Sequence, residues 1–192
     1  MLSKIRKLFG SQGSNAAPVA PRPDWKQLGN AALAEGNLAQ AAAHYREGAA
    51  QEPVNPQPHL NLAYCLLELG DPARAEQALL LADRYAPDRS MEAFEASHLL
   101  ARAREEQGDM PGSAEHLRNA VRRAPDRFEG WTALARAQAL LGDPDESMAS
   151  LRRAIALKPD ALPEMAMLCG LLLMKRLPLE LLEMAQRILA ID

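Results

Sequence analysis

The chain has 192 residues, of which 48% are hydrophobic, 24% charged and only 4% aromatic, and its formal net charge is −3. Few aromatics beside abundant Ala and Leu disfavour sheets, which lean on β-branched and aromatic side chains, and point to an all-α fold. Three of the 22 basic residues (Lys4, Arg6, Lys7) fall in the first nine positions, leaving 19 against 25 acidic residues on the rest; such a body offers no basic surface for phosphate backbones, so nucleic acid is not expected as a partner.

In chain order, residues 1–9 (MLSKIRKLF) form a basic amphipathic arm, with Leu2, Ile5, Leu8 and Phe9 set against the three cations. As a helix the arm would offer contact to an anionic membrane surface or a partner groove. Nine residues are too few for an isolated stable helix, so disorder is the expectation. No apolar signal core follows the arm, and no later stretch approaches the roughly 18 uninterrupted apolar residues of a membrane span. The expected location is cytoplasmic. Residues 10–23 read as a flexible Gly/Ser/Ala/Pro linker.

From there the chain repeats. Gly36, Gly70, Gly108 and Gly142 are each followed by Asn37, Asp71, Asp109 or Asp143, and each lies seventeen residues before Pro53, Pro87, Pro125 or Pro159. Glycine accepts the left-handed conformation that ends a first helix. The following Asp or Asn is placed to cap a second helix. Pro72 and Pro144 stand at first helical positions, where a missing N–H costs nothing, and the late proline ends the second helix. Each unit is therefore an antiparallel helix pair, over about 22–55, 56–89, 94–127 and 128–161. The intervals between glycines are 34, 38 and 34 residues, and the four extra residues of the third unit predict a first helix longer by about one turn. Residues 162–192 give a degenerate fifth pair, with Arg176 and Leu177 where the glycine turn belongs.

The quoted residues resemble the tetratricopeptide-repeat (TPR) signature of Trp, Leu-Gly, Ala, a large apolar residue and a closing Pro. The first unit supplies Trp25, Leu28, Gly29, Ala41, Tyr45 and Pro53, and the fourth Trp131, Leu134, Ala135, Ser147, Leu151, Ala154 and Pro159. The resemblance implies a right-handed TPR superhelix, a solenoid whose concave groove is lined by the first helices, over residues 24–192. It also implies a non-catalytic scaffold or adaptor that binds a peptide or protein segment in that groove.

The groove positions implied by the resemblance include Lys26, Asn30, Asn61, Tyr64, His98, Arg102 and Arg136. Lys26, His98, Arg102 and Arg136 read as a basic file, which favours an acidic segment or a free C-terminal carboxylate. Lys26, Asn30 and Asn61 are also similar to the carboxylate clamp of chaperone-binding TPR proteins. The third unit departs from that clamp, with Glu95 and Leu99 where Lys and Arg are expected. Beside the clamp stands the plainer reading of a solvated lysine and two generic groove amides. The final helix is too apolar for one buried stripe. Met165, Met167, Leu181, Met184 and Ile188 are candidates for a partner or self-association surface, set against simple packing within the last pair. A docking surface there supports the alternative function, a regulatory or substrate-presenting subunit on a partner enzyme such as a transferase.

Other chemistry is not expected. Trp25 and Trp131 occupy the signature slot, which is a packing position. The four histidines lie on separate helices without ligand spacing, and no phosphate loop or nucleophile–base arrangement is present, so neither metal, cofactor nor enzymatic activity is predicted. Cys65 and Cys169 read as buried, reduced thiols.

Overall fold

A computed structural model describes residues 24–191. The arm at 1–9 and the linker at 10–23 lie outside the described residues. Ten helices follow one another: α1 (Trp25–Ala34), α2 (Leu38–Gln51), α3 (Pro56–Glu68), α4 (Pro72–Tyr85), α5 (Met91–Glu106), α6 (Met110–Arg123), α7 (Phe128–Leu140), α8 (Pro144–Leu157), α9 (Leu162–Met174) and α10 (Pro178–Leu189). Each helix packs on its neighbours in the chain, and α3 also touches α5, so the ten form five stacked pairs.

All five first helices end in the same way. In the first pair the Gly36 N–H donates to the Leu33 carbonyl at 2.9 Å and the Asn37 N–H to the Ala32 carbonyl at 2.8 Å, the two bonds of a Schellman motif. The turns at Gly70, Gly108 and Gly142 repeat this pattern, and the four glycines have φ between 75° and 82°. Arg176 completes the series: with φ 57° it makes the same turn, its N–H on the Leu173 carbonyl and that of Leu177 on the Leu172 carbonyl. The fifth unit thus keeps the backbone of the repeat after losing its glycine.

The helix starts are less uniform. Asn37, Asp71 and Asp109 accept from the backbone N–H groups of Gln40, Arg74 and Gly112, as expected of second-helix caps. Asp143 departs from the expectation, since its side chain makes no cap hydrogen bond and α8 instead carries Asp145 and Glu146 in its first turn. Helix α5 runs for 16 residues against 13 in α3 and α7, and a turn at Pro87–Ser90 precedes it, so the insertion does lengthen that helix.

The core is a chain of clusters between adjacent pairs, with Trp25, Ala41 and Tyr45 at one end and Met148, Leu151, Met165 and Leu168 at the other. Its composition follows steric pairing. A Cβ on Gly29 would come within 2.4 Å of the Tyr45 ring, so the one large ring needs the glycine. The second and fourth units pair alanine with leucine at these positions (Ala63 with Leu79, Ala135 with Leu151), and all four residues are buried. Cys65 is buried and its thiol is pushed up by that burial, whereas Cys169 is half-buried, short of the burial expected.

Candidate functional site

The first helices α3, α5 and α7 bring the central groove residues together around His98. On one side a cleft of about 270 Å³ opens between α3 and α5, lined by Leu60, Asn61, Tyr64, Phe94, Glu95, His98 and Leu99. On the other, a cleft of about 560 Å³ opens over α6 between α5 and α7. Its floor is apolar, from Ala101, Leu117, Ala133 and Ala137, and its rim carries Arg102, Glu105, Glu106, Arg136 and the 70% exposed Leu140. The larger cleft exists because alanines at 101, 133 and 137 leave space where larger side chains would close the helix crossings. The Ser113 hydroxyl, fully buried in this lining, has no hydrogen-bond partner.

The electrostatics differ from the expected basic file. Arg102 donates from Nη1 to Glu68 of α3 at 2.7 Å and from Nε to Glu106 at 2.9 Å, so its charge is balanced by two carboxylates within the fold. His98 stacks on Phe94 with ring centroids 5.7 Å apart, and burial, helped by the charge of Arg136 and opposed by Glu129, holds its pKa below the usual histidine range. The shift reduces its contribution to the positive charge of the groove. Burial, with the neighbouring Glu92, raises the Glu95 carboxyl, while Arg127 opposes the shift. Arg136 is exposed and, among the described residues, forms no ion pair. In the cleft over α6, Arg136 and Glu105 are the charged side chains that form no ion pair among the described residues.

In the clamp-like set, both amide oxygens are engaged within the fold. The Asn30 side-chain oxygen accepts from the Tyr45 hydroxyl at 2.7 Å, and that of Asn61 accepts from Gln57 Nε2 at 3.0 Å. Glu95 lines the cleft beside Asn61, where a bound carboxylate would meet like charge. Lys26 is exposed on α1. Tyr64, 43% exposed, lines one cleft with Asn61 and His98.

At the other end, one member of the proposed contact surface is corrected. Met165 is 0% exposed, packed among Ala135, Met148, Leu151 and Leu168. The reason is register: eleven residues before the left-handed turn residue, it fills the slot of Trp25 and Trp131 in the other units. Met167, Leu181, Met184 and Ile188 are half-buried against the same cluster. The outward apolar residues are instead Leu173, Met174, Leu179, Leu182 and Leu189, between 57% and 82% exposed, and no residue of α10 is buried.

Two family models described as tetratricopeptide repeat match residues 32–103 and 98–161, together more than half of the chain. The chain belongs to the tetratricopeptide-repeat family. By sequence no curated protein matches it. Among solved structures, a crystal structure of MamA is similar with a TM-score of 0.73 at 17% identity, covering 86% of this chain and 88% of that one. MamA from Desulfovibrio magneticus RS-1 gives 0.72 at 18%, covering 87% and 92%. Pseudomonas aeruginosa PilF gives 0.71 at 17%, covering 88% and 75%. At these identities the likeness establishes the TPR solenoid and nothing finer. Among the described residues, no helix is long and apolar enough to cross a membrane.

Proposed function

We propose that this TPR chain is a non-catalytic, cytoplasmic interaction scaffold that holds a segment of a partner protein across the clefts flanking His98. The observation that carries this reading is the cleft of about 560 Å³, with an alanine- and leucine-lined floor and one cation unpaired among the described residues at its rim. An apolar floor provides affinity through burial, and Arg136, set beside the unpaired Glu105 of the same rim, orients the segment. An aliphatic side chain of the partner enters between α5 and α7, while Arg136 meets an acidic side chain or a C-terminal carboxylate. Tyr64 and Asn61 continue the contact toward α3.

The test is affinity capture from the native lysate with wild type and with an Ala133→Leu/Arg136→Glu variant, which narrows the cleft and reverses its free charge. Retained helical circular dichroism guards against unfolding. A partner captured by wild type and lost by the variant supports the reading; one held equally by both overturns it. The exposed leucines of α9 and α10 favour a second reading, stable docking on a partner enzyme or a second copy through the last pair. A Leu182→Asp/Leu189→Asp variant that alone loses the partner would decide for it.

A further inference from the structure

The opposite face of the fourth unit carries a second cleft. It lies over α7 between α6 and α8, has a volume of about 540 Å³, and is walled by Val121, Trp131, Leu134 and Ala149. Trp131 also lines an adjoining depression of about 300 Å³ with Pro125, Ala156 and Leu157, and Arg153 borders both. The indole is thus a ridge between two hollows.

It packs against the core cluster of the third and fourth units, yet it is less buried than its counterpart in the first. In the first unit Trp25 lies on Gly48, where a Cβ would come within 2.4 Å of the indole, and it is 7% exposed. The equivalent residue under Trp131 is Ala154, which carries that Cβ. The second and third units, which also have alanine there (Ala82, Ala120), fill the slot with the smaller His59 and Ser97, both buried. Trp131 is the one large ring set over an alanine. It stays half-buried, held by a 2.8 Å hydrogen bond from its Nε1 to the Pro125 carbonyl.

The rim supplies charge. Arg118, Arg122 and Arg153 border the cleft, all exposed, and among the described residues none forms an ion pair. Glu115 and Glu146 are the two acids of the lining; Glu146 accepts weakly, at 3.4 Å, from Gln138, whose side chain is bound in turn by the Ser150 hydroxyl at 2.7 Å. Three arginines against two glutamates is a local excess of positive charge on a chain of net −3. An extended polyanion would be repelled by that wider acidic body; a short segment with a few carboxylates would not.

We propose that this outer face is a second docking site, for an acidic segment of a partner protein that lays an aliphatic side chain against Trp131 and sets its carboxylates on Arg118 and Arg153. The site is independent of the groove around His98, so one scaffold holds two segments on opposite faces.

The probe is the hexapeptide acetyl-Glu-Glu-Leu-Leu-Glu-Glu-amide, titrated into the full-length chain labelled with 15N at tryptophan. The two indole N–H signals are assigned with a Trp131→Phe variant. The expected result is a saturable shift of the Trp131 signal, with the Trp25 signal unmoved. An Arg118→Glu/Arg153→Glu variant weakens binding at least about tenfold, an Arg118→Gln/Arg153→Gln variant weakens it less, and Arg136→Glu leaves it unchanged. Circular dichroism checks that each variant is folded. The proposal is overturned if Trp131 does not shift at millimolar peptide, if the Gln-for-Glu peptide binds as tightly, or if Arg136→Glu abolishes the shift. It is equally overturned if the unliganded chain self-associates and the charge reversal abolishes that association, since the occupant is then a second copy.

Discussion

Exchanging glycine and non-glycine at the left-handed turns tests whether the fifth unit is a repeat with a strained turn. Gly142 and Arg176 close equivalent helices with φ 82° and 57°. A Cβ at Gly142 would meet nothing within 4 Å, so Gly142→Ala carries a conformational cost alone. A non-glycine residue in this region costs about 1–2 kcal/mol, and glycine's greater freedom in the unfolded chain returns about 0.5–1 kcal/mol. The net effect is about 0.5–1 kcal/mol, destabilising for Gly142→Ala and stabilising for Arg176→Gly. The Arg176 side chain is exposed and, among the described residues, makes no ion pair that would offset the gain. In a repeat array such changes act locally, so the assay is amide hydrogen exchange of α9 and α10 in the full chain. Protection there should rise about two- to fivefold in Arg176→Gly. Unchanged or lowered protection would refute the reasoning and mean that the terminal pair does not close through this turn.

Three further outcomes follow from the packing and the electrostatics. Gly29→Ala should destabilise the chain by about 1–3 kcal/mol through the clash with Tyr45; urea denaturation should show partial rescue by Tyr45→Leu, which recreates the Ala–Leu pairing of the second to fourth units. The His98 imidazole, followed by NMR, should titrate below the usual histidine value; Arg136→Ala should raise its pKa and Glu129→Gln lower it. Because the folded pKa is depressed, His98 contributes stability that is present above its unfolded pKa near about 6.5 and is lost as pH falls toward the folded value. Arg102→Met should cost less than about 1 kcal/mol in denaturant melts, because its pairs with Glu68 and Glu106 are more than one-third solvent-exposed on the arginine side.

Backbone features were the most legible in the sequence. Gly36, Gly70, Gly108 and Gly142 mark every first-helix end of the four good units because only glycine takes that turn without cost, and the extra residues before α5 did extend it. The fifth turn was harder to read, since Arg176 adopts by tertiary constraint what glycine adopts freely. Within the groove, the candidate positions were those the family resemblance implies, and His98, Arg102 and Arg136 line one cleft. Their charge did not follow: Glu68 is 34 residues before Arg102 whereas the two units are 38 apart, so it is four residues out of repeat register and had to be placed in space to show that the arginine is paired. The burial of Met165 was available, because the register puts it in the slot of Trp25. The amide of Asn30 was not, since its capture by Tyr45 depends on side-chain rotamers. Ala154 beneath Trp131 was the sequence trace of the outer-face cleft, but its meaning needed the Trp25–Gly48 contact for comparison.

The central claim, that the partner lies in the cleft between α5 and α7, is tested most directly by photocrosslinking in the native lysate. Benzoylphenylalanine at Leu140, on the rim of that cleft and 70% exposed, is compared with the same group at Leu80 of α4, 53% exposed, and at Leu182 of α10, 57% exposed. The account predicts one discrete adduct from position 140 that is absent from 80 and 182. An adduct from 182 with none from 140 would contradict it and move the binding surface to the last helix pair.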